Sequence, residues 1–132
     1  MFVNNLWAIL LAAVAAMAVG FLWYAPALFG DMWRKAKGAK KTDMQPSPMT
    51  LVTQFITEIL VAVVLALLIV ATGATRVSGG ALIGFYAGLL VVFAMFTGWL
   101  FGDTNKRVFL IDAAYGLVVL VVMGIVLGAW AW

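Results

Sequence analysis

Two acids stand inside runs of the chain that are otherwise hydrophobic, Glu58 and Asp112. Glu58 closes a polar string made of Thr50, Thr53, Gln54, Thr57 and Glu58 itself. At 100° per residue these positions fall within about 140° of arc on a helix. Leu51, Val52, Phe55, Ile56 and Ile59 lie mostly outside that arc. A carboxyl and an amide on one ridge can hold a proton, a cation or a polar ligand. Glu58 lies about 12 Å along the axis from Thr50, at ~1.5 Å per residue. Tyr115 follows Asp112 by three positions and shares its helical face. Glu58, Gln54, Asp112 and Tyr115 are therefore the candidate site residues.

An ionised acid well inside a membrane helix costs about 2.5–3.5 kcal/mol on insertion scales, so such a residue is a functional candidate by default. Three readings compete for Glu58. It is neutral and hydrogen-bonded to a neighbouring helix; or it pairs with a base such as Arg34 or Lys106 that snorkels in from the interface; or it is a proton or cation site. Asp112 falls in the early turns of its helix, where the dipole favours an anion, and this points to an interfacial or capping-like role. Two acids sharing one cavity would favour holding a proton or cation. The premise throughout is that the polar ridge turns away from the acyl chains.

Other chemistry is missing from the sequence. There is no His and no Cys, which removes the commonest metal ligand, the neutral-pH proton shuttle and thiolate nucleophiles. No phosphate loop, nucleophile elbow or metal-ligand cluster occurs. The expectation is a non-enzymatic protein with no catalytic residues, no metal and no cofactor. The basic residues sit in short loops between apolar runs, which excludes nucleic acid as a partner.

The elements that position these residues follow from composition. Of 132 residues, 67% are hydrophobic and 10% charged, against roughly 45–50% and 25% in soluble domains. A small soluble fold cannot hide that much apolar surface, so the partner of the surface is the lipid bilayer. The charged residues leave long apolar runs, and a bilayer-spanning helix needs about 20 mostly apolar residues. Four spans fit, at about 4–25, 49–72, 80–101 and 108–130, within a single transmembrane domain over residues 1–132. No run alternates as a membrane barrel strand does. The fold class is all-α, a polytopic membrane protein. The first run lacks the basic start of a cleaved signal peptide and reads as a span.

The first connection holds Arg34, Lys35, Lys37, Lys40 and Lys41, the third holds Lys106 and Arg107, and the second holds only Arg76. The positive-inside rule places the first and third in the cytoplasm, with both termini outside. Trp7, Trp130 and Trp132 then belong to the outer aromatic belt, and Trp23, Tyr24, Trp33 and Trp99 to the inner one. Pro26 ends the first helix. Leu28, Phe29, Met32, Trp33 and Ala36 then recur at helical spacing, opposite Arg34, Lys35 and Lys37. This predicts a short interfacial helix over about 27–37, with Trp23, Tyr24, Trp33, Arg34 and Lys35 as anchors at the lipid interface. Gly38 ends it, and Ser47-Pro48 reads as an N-cap with proline at the first helical position of the second span.

Small residues recur every four positions: Ala8, Ala12, Ala16 and Gly20; Gly80, Gly84 and Gly88; Gly124 and Gly128. A shifted set, Ala94, Gly98 and Gly102, follows in the third span. Such residues let membrane helices approach closely, within one chain or between chains. Two strings also repeat, Leu28-Phe29-Gly30-Asp31 and Leu100-Phe101-Gly102-Asp103, each followed by a basic pair. The echo suggests two helical hairpins related as a parallel repeat.

The stretch Gly20-Phe-Leu-Trp23-Tyr24-Ala-Pro26-Ala-Leu28-Phe29-Gly30, with the later Phe109-Leu-Ile-Asp-Ala-Ala-Tyr115, Met123-Gly124 and Trp130, resembles the bacterial domain-of-unknown-function 1761 family of small membrane proteins. The resemblance implies a four-helix architecture in the bacterial inner membrane and supplies no catalytic residues. The leading functional expectation is a small transporter- or channel-like protein with an interior polar site in its cytoplasmic half. Helices pack 8–10 Å apart, so a chain of 14.2 kDa leaves little room for a path. Transport would need a homo-oligomer or other membrane subunits, with the third span as a candidate interface. The alternative is a non-transporting accessory or scaffold subunit, or a lipid-binding protein.

Overall fold

A computed structural model describes residues 2–40, 45–102 and 105–130. Lys41, Asp103 and Trp132 of the sequence reading lie outside the described residues. The elements are α1 (Phe2–Trp23), α2 (Gly30–Lys37), α3 (Pro48–Thr72), α4 (Val77–Gly102) and α5 (Lys106–Gly128), with no strand among the described residues. Four helices are long and apolar enough to cross a membrane: Asn5–Trp23 within α1, then α3, α4 and α5. At ~1.5 Å per residue each exceeds or nearly matches the roughly 30 Å hydrocarbon core. The protein is an all-helical, multi-pass membrane protein.

Local chemistry sets the helix ends. Ser47 caps α3, its Oγ accepting the Thr50 N–H at 3.1 Å, with Pro48 behind it. Asn105 caps α5, its Oδ1 accepting the Arg107 N–H at 2.8 Å. Gly38 and Gly73 close α2 and α3 at φ 74° and 68°, a left-handed conformation that glycine adopts without steric cost. The short helix starts later than its sequence pattern suggests. Residues 24–29 are consumed by turns around Pro26, in which the Phe29 N–H donates to the Trp23 carbonyl at 3.1 Å and the Gly30 N–H to that of Ala25 at 3.0 Å. A Cβ at Gly30 would strike the Tyr24 carbonyl, so the elbow requires glycine there.

Connectivity runs α1 and α4 toward one end of the bundle and α3 and α5 away from it. That end carries α2 and the start of α5, and with them Arg34, Lys35, Lys37, Lys106 and Arg107; it is the basic end below. Alanines of α1 (Ala8, Ala12, Ala16) meet Ala62, Leu65 and Ile69 of α3 and Met123 and Leu127 of α5 in one buried core. α4 packs most extensively on α5. Their glycines bring backbone onto backbone: a Cβ at Gly80 would collide with the Gly124 carbonyl, and one at Gly84 with that of Leu120. The glycine ladder thus serves a contact within the chain. The shifted set is open, with nothing within 4 Å of an added Cβ at Gly98 or Gly102. Large apolar side chains such as Leu67, Leu90, Phe93 and Leu100 point outward, as they must where the solvent is lipid.

The echoed strings differ in local structure. Leu28 and Phe29 lie in the elbow and Gly30 opens α2, whereas Leu100, Phe101 and Gly102 finish α4. The hairpins differ in packing as well, alanine-mediated between α1 and α3 and glycine-mediated between α4 and α5.

Candidate functional site: a polar-floored cavity at the basic end

Glu58 is on the inward seam of α3, with 6% of its surface exposed. The seam continues through Ala62, Leu65, Ala66 and Ile69, all buried, at the three- and four-residue spacing of one helix face. One turn before Glu58, the Gln54 side chain donates from Nε2 to Oε1 of the carboxyl at 2.7 Å. The partner of the acid is therefore on its own helix, and Arg34 instead lies 3.7 Å from Asp31.

The polar ridge of α3 divides along its length. Thr50, Gln54 and Glu58 form one i, i+4 row facing the cavity or the core. Thr53 and Thr57 form the other flank and are exposed. Their hydroxyls donate to the carbonyls of Met49 (2.8 Å) and Thr53 (2.9 Å) in the same helix. A threonine satisfied by its own helix can face outward with no unpaired hydroxyl.

Asp112 has a separate partner. Tyr24 Oη donates to its Oδ1 at 2.6 Å, and Trp23 Nε1 donates to the Ile111 carbonyl at 3.1 Å. The Trp23-Tyr24 pair at the end of α1 is thereby clamped onto the second turn of α5. Burial, and then the hydrogen bond to Asp112, hold the Tyr24 phenol protonated well above its ordinary range. The Tyr24 ring meets Tyr115 edge-on at 5.3 Å between centroids and Trp33 at 5.7 Å.

These residues border a cavity of about 890 Å³. Its walls are the last turns of α1 (Met17, Gly20, Phe21), the elbow and α2 (Tyr24, Trp33, Arg34), and the start of α3 (Thr50, Leu51, Gln54); Tyr115 reaches it from α5. Gly20 makes room for Tyr115, since a Cβ there would come within 3.2 Å of the phenol oxygen. Gln54 and Tyr115 supply polar groups in a mostly apolar wall, which Asp31, Arg34 and Thr50 also line. Neither carboxyl, Glu58 nor Asp112, lines the cavity; each is held one residue behind it, by Gln54 and by Tyr24. Among the described residues no cluster of acids could hold a metal ion.

Residues 7–128 match the family described as "Protein of unknown function (DUF1761)", nearly the whole chain. The chain belongs to the DUF1761 family. No curated protein and no solved structure shows significant similarity to it. In this DUF1761 chain, the Trp23-Tyr24-Ala25-Pro26-Ala27-Leu28-Phe29-Gly30 block is the elbow itself. Its Trp and Tyr clamp α5, its Gly lets the chain fold back under the Tyr24 carbonyl, and its Tyr walls the cavity.

The structure brings Glu58, Gln54 and Tyr115 to one place and sets Asp112 beside them through Tyr24. Of the interface anchors, Trp23, Tyr24, Trp33 and Arg34 are partly buried and Lys35 is exposed. Lys37 lies over the Trp33 ring, 4.3 Å from its centroid. Sequence reasoning missed Gly20 as the residue that opens the cavity and Tyr24 as the partner of Asp112. Pro26 signalled the turn just after Tyr24, but nothing in the spacing pointed from it across to α5.

Proposed function

We propose that this chain binds an amphipathic small molecule or lipid in the cavity at its basic end, without catalysing a reaction. The observation that carries the reading is the one-ended shape of the site. A mostly apolar chamber ends on Gln54 and Tyr115, backed by buried Glu58, and beyond them Ala12, Ala62, Leu65, Ile69 and Met123 are close-packed. Apolar walls with a few convergent polar groups suit a ligand with a hydrocarbon part and a polar head. The excess of basic residues at this end supports a cytoplasmic orientation for it in the bacterial inner membrane, with both termini outside.

The test is native mass spectrometry of the full chain purified in mild detergent. Wild type is expected to retain an amphiphile that Gly20→Phe and Leu51→Trp, which fill the chamber, both lose. Equal retention in wild type and both variants would overturn the reading.

A transporter-like role is the second reading, favoured by the buried carboxyl of Glu58 with an amide as its hydrogen-bond partner. It needs an assembly to supply a path. The glycine face of α4 is occupied by α5, so an interface on α4 would use the open Ala94-Gly98-Gly102 side. Proton or cation flux in proteoliposomes, abolished by Glu58→Gln, is the result this reading requires.

A further inference from the structure

A second concavity lies between α2 and the start of α5. It encloses about 560 Å³ and is lined by Met32, Lys35 and Ala36 of α2 and by Asn105, Lys106 and Arg107. One side chain holds its two halves together. Asn105 Nδ2 donates to the Ala36 carbonyl at 3.2 Å, while Asn105 Oδ1 accepts the Arg107 N–H at 2.8 Å. The cleft thus depends on two segments far apart in sequence.

Its charge is one-sided. Among the described residues three cations line it with no acid, and none of the three side chains has an acidic partner. Lys106 and Arg107 also occupy the first turn of α5, which contains no acid. Cations at a helix start oppose the macrodipole, so this arrangement is unfavourable until an anion offsets it. Met32 and Ala36 add apolar surface to the lining. One turn deeper, Leu110 shares the helical face of Lys106 and Arg107 and is 52% exposed. A phosphate among the cations would therefore have its acyl chains beside an apolar strip, which a free phosphate would leave unused.

We propose that the α2–α5 cleft binds the phosphate of an anionic membrane phospholipid through Lys35, Lys106 and Arg107. The site is separate from the cavity beneath Tyr24 and does not depend on what that cavity holds. Basic pockets between membrane helices on the cytoplasmic side recognise anionic headgroups in this way.

The experiment titrates the full chain in detergent with phosphatidylglycerol, with phosphatidylcholine of the same acyl chains and with inorganic phosphate, counting bound lipid by native mass spectrometry. Wild type is expected to prefer phosphatidylglycerol. The combined Lys35→Gln, Lys106→Gln and Arg107→Gln variant should lose that preference by on the order of tenfold or more. Asn105→Ala, which keeps every charge but frees the two halves, should weaken it as well. Lys37→Gln, which removes a neighbouring charge outside the cleft, should leave it intact. Three results overturn the proposal: an unchanged preference in the triple variant, a loss in Lys37→Gln as large per charge, or inorganic phosphate displacing the lipid at equal concentration.

Discussion

The Tyr24 hydroxyl meets the Asp112 carboxylate at 2.6 Å, tying the elbow after α1 to the second turn of α5. The bond crosses 88 positions of sequence and fixes the wall of the cavity against its floor. Tyr24→Phe removes the donor and leaves a part-buried carboxylate without it, at an expected cost of about 1–3 kcal/mol. Asp112→Asn keeps an acceptor for Tyr24 and should cost less. Thermal unfolding of both variants in detergent checks the order.

The same bond carries a pH signature. The folded state holds the Tyr24 proton more tightly than the unfolded chain does. Its contribution is therefore complete below about pH 10, the ordinary phenol value, and is lost progressively as pH rises above it. Wild type should destabilise more steeply above that pH than Tyr24→Phe does. Parallel slopes in unfolding series at rising pH would contradict this.

Gln54 and Glu58 make a second pair whose members are not equivalent. Gln54→Leu leaves the buried carboxyl without its donor and is expected to cost about 1–3 kcal/mol. Glu58→Gln keeps a polar partner for Gln54 in the same volume and should cost less. Thr53→Val and Thr57→Val, on the outward flank, should fall within about ±0.5 kcal/mol. Comparing melting midpoints across the four variants separates the inward row from the outward one.

The α4–α5 contact predicts a sharp positional contrast. Gly84→Ala forces a methyl into the Leu120 carbonyl and should destabilise by about 1–3 kcal/mol. Gly98→Ala meets nothing and should be neutral or gain up to about 1 kcal/mol from better helix propensity. Resistance to denaturation in detergent reads both.

How much of this could be read from sequence depends on whether a property is local. The spans were legible because apolar length is local, and the observed α3, Pro48–Thr72, differs by one residue from the expected 49–72. The caps at Ser47 and Gly38 were legible for the same reason. The start of α2 was not, because the apolar spacing from Leu28 onward also fits residues that the Pro26 turn withdraws from the helix. The ridge of α3 was half legible. Periodicity put five polar residues on one arc, but a threonine that bonds its own helix carries no demand to face inward, and spacing cannot distinguish it from one that does. The Tyr24–Asp112 bond was out of reach, since nothing in the spacing links α1 to α5.

The most direct measurement of the one-ended site uses the absence of cysteine from the sequence, which lets single thiols be introduced without background. Gln54→Cys and Ala62→Cys would be exposed to a membrane-impermeant maleimide from each side of sealed vesicles. The account predicts labelling of Gln54→Cys from the cytoplasmic face alone and of Ala62→Cys from neither. Labelling of Ala62→Cys, or of Gln54→Cys from both faces, would mean a continuous hydrated path and contradict it.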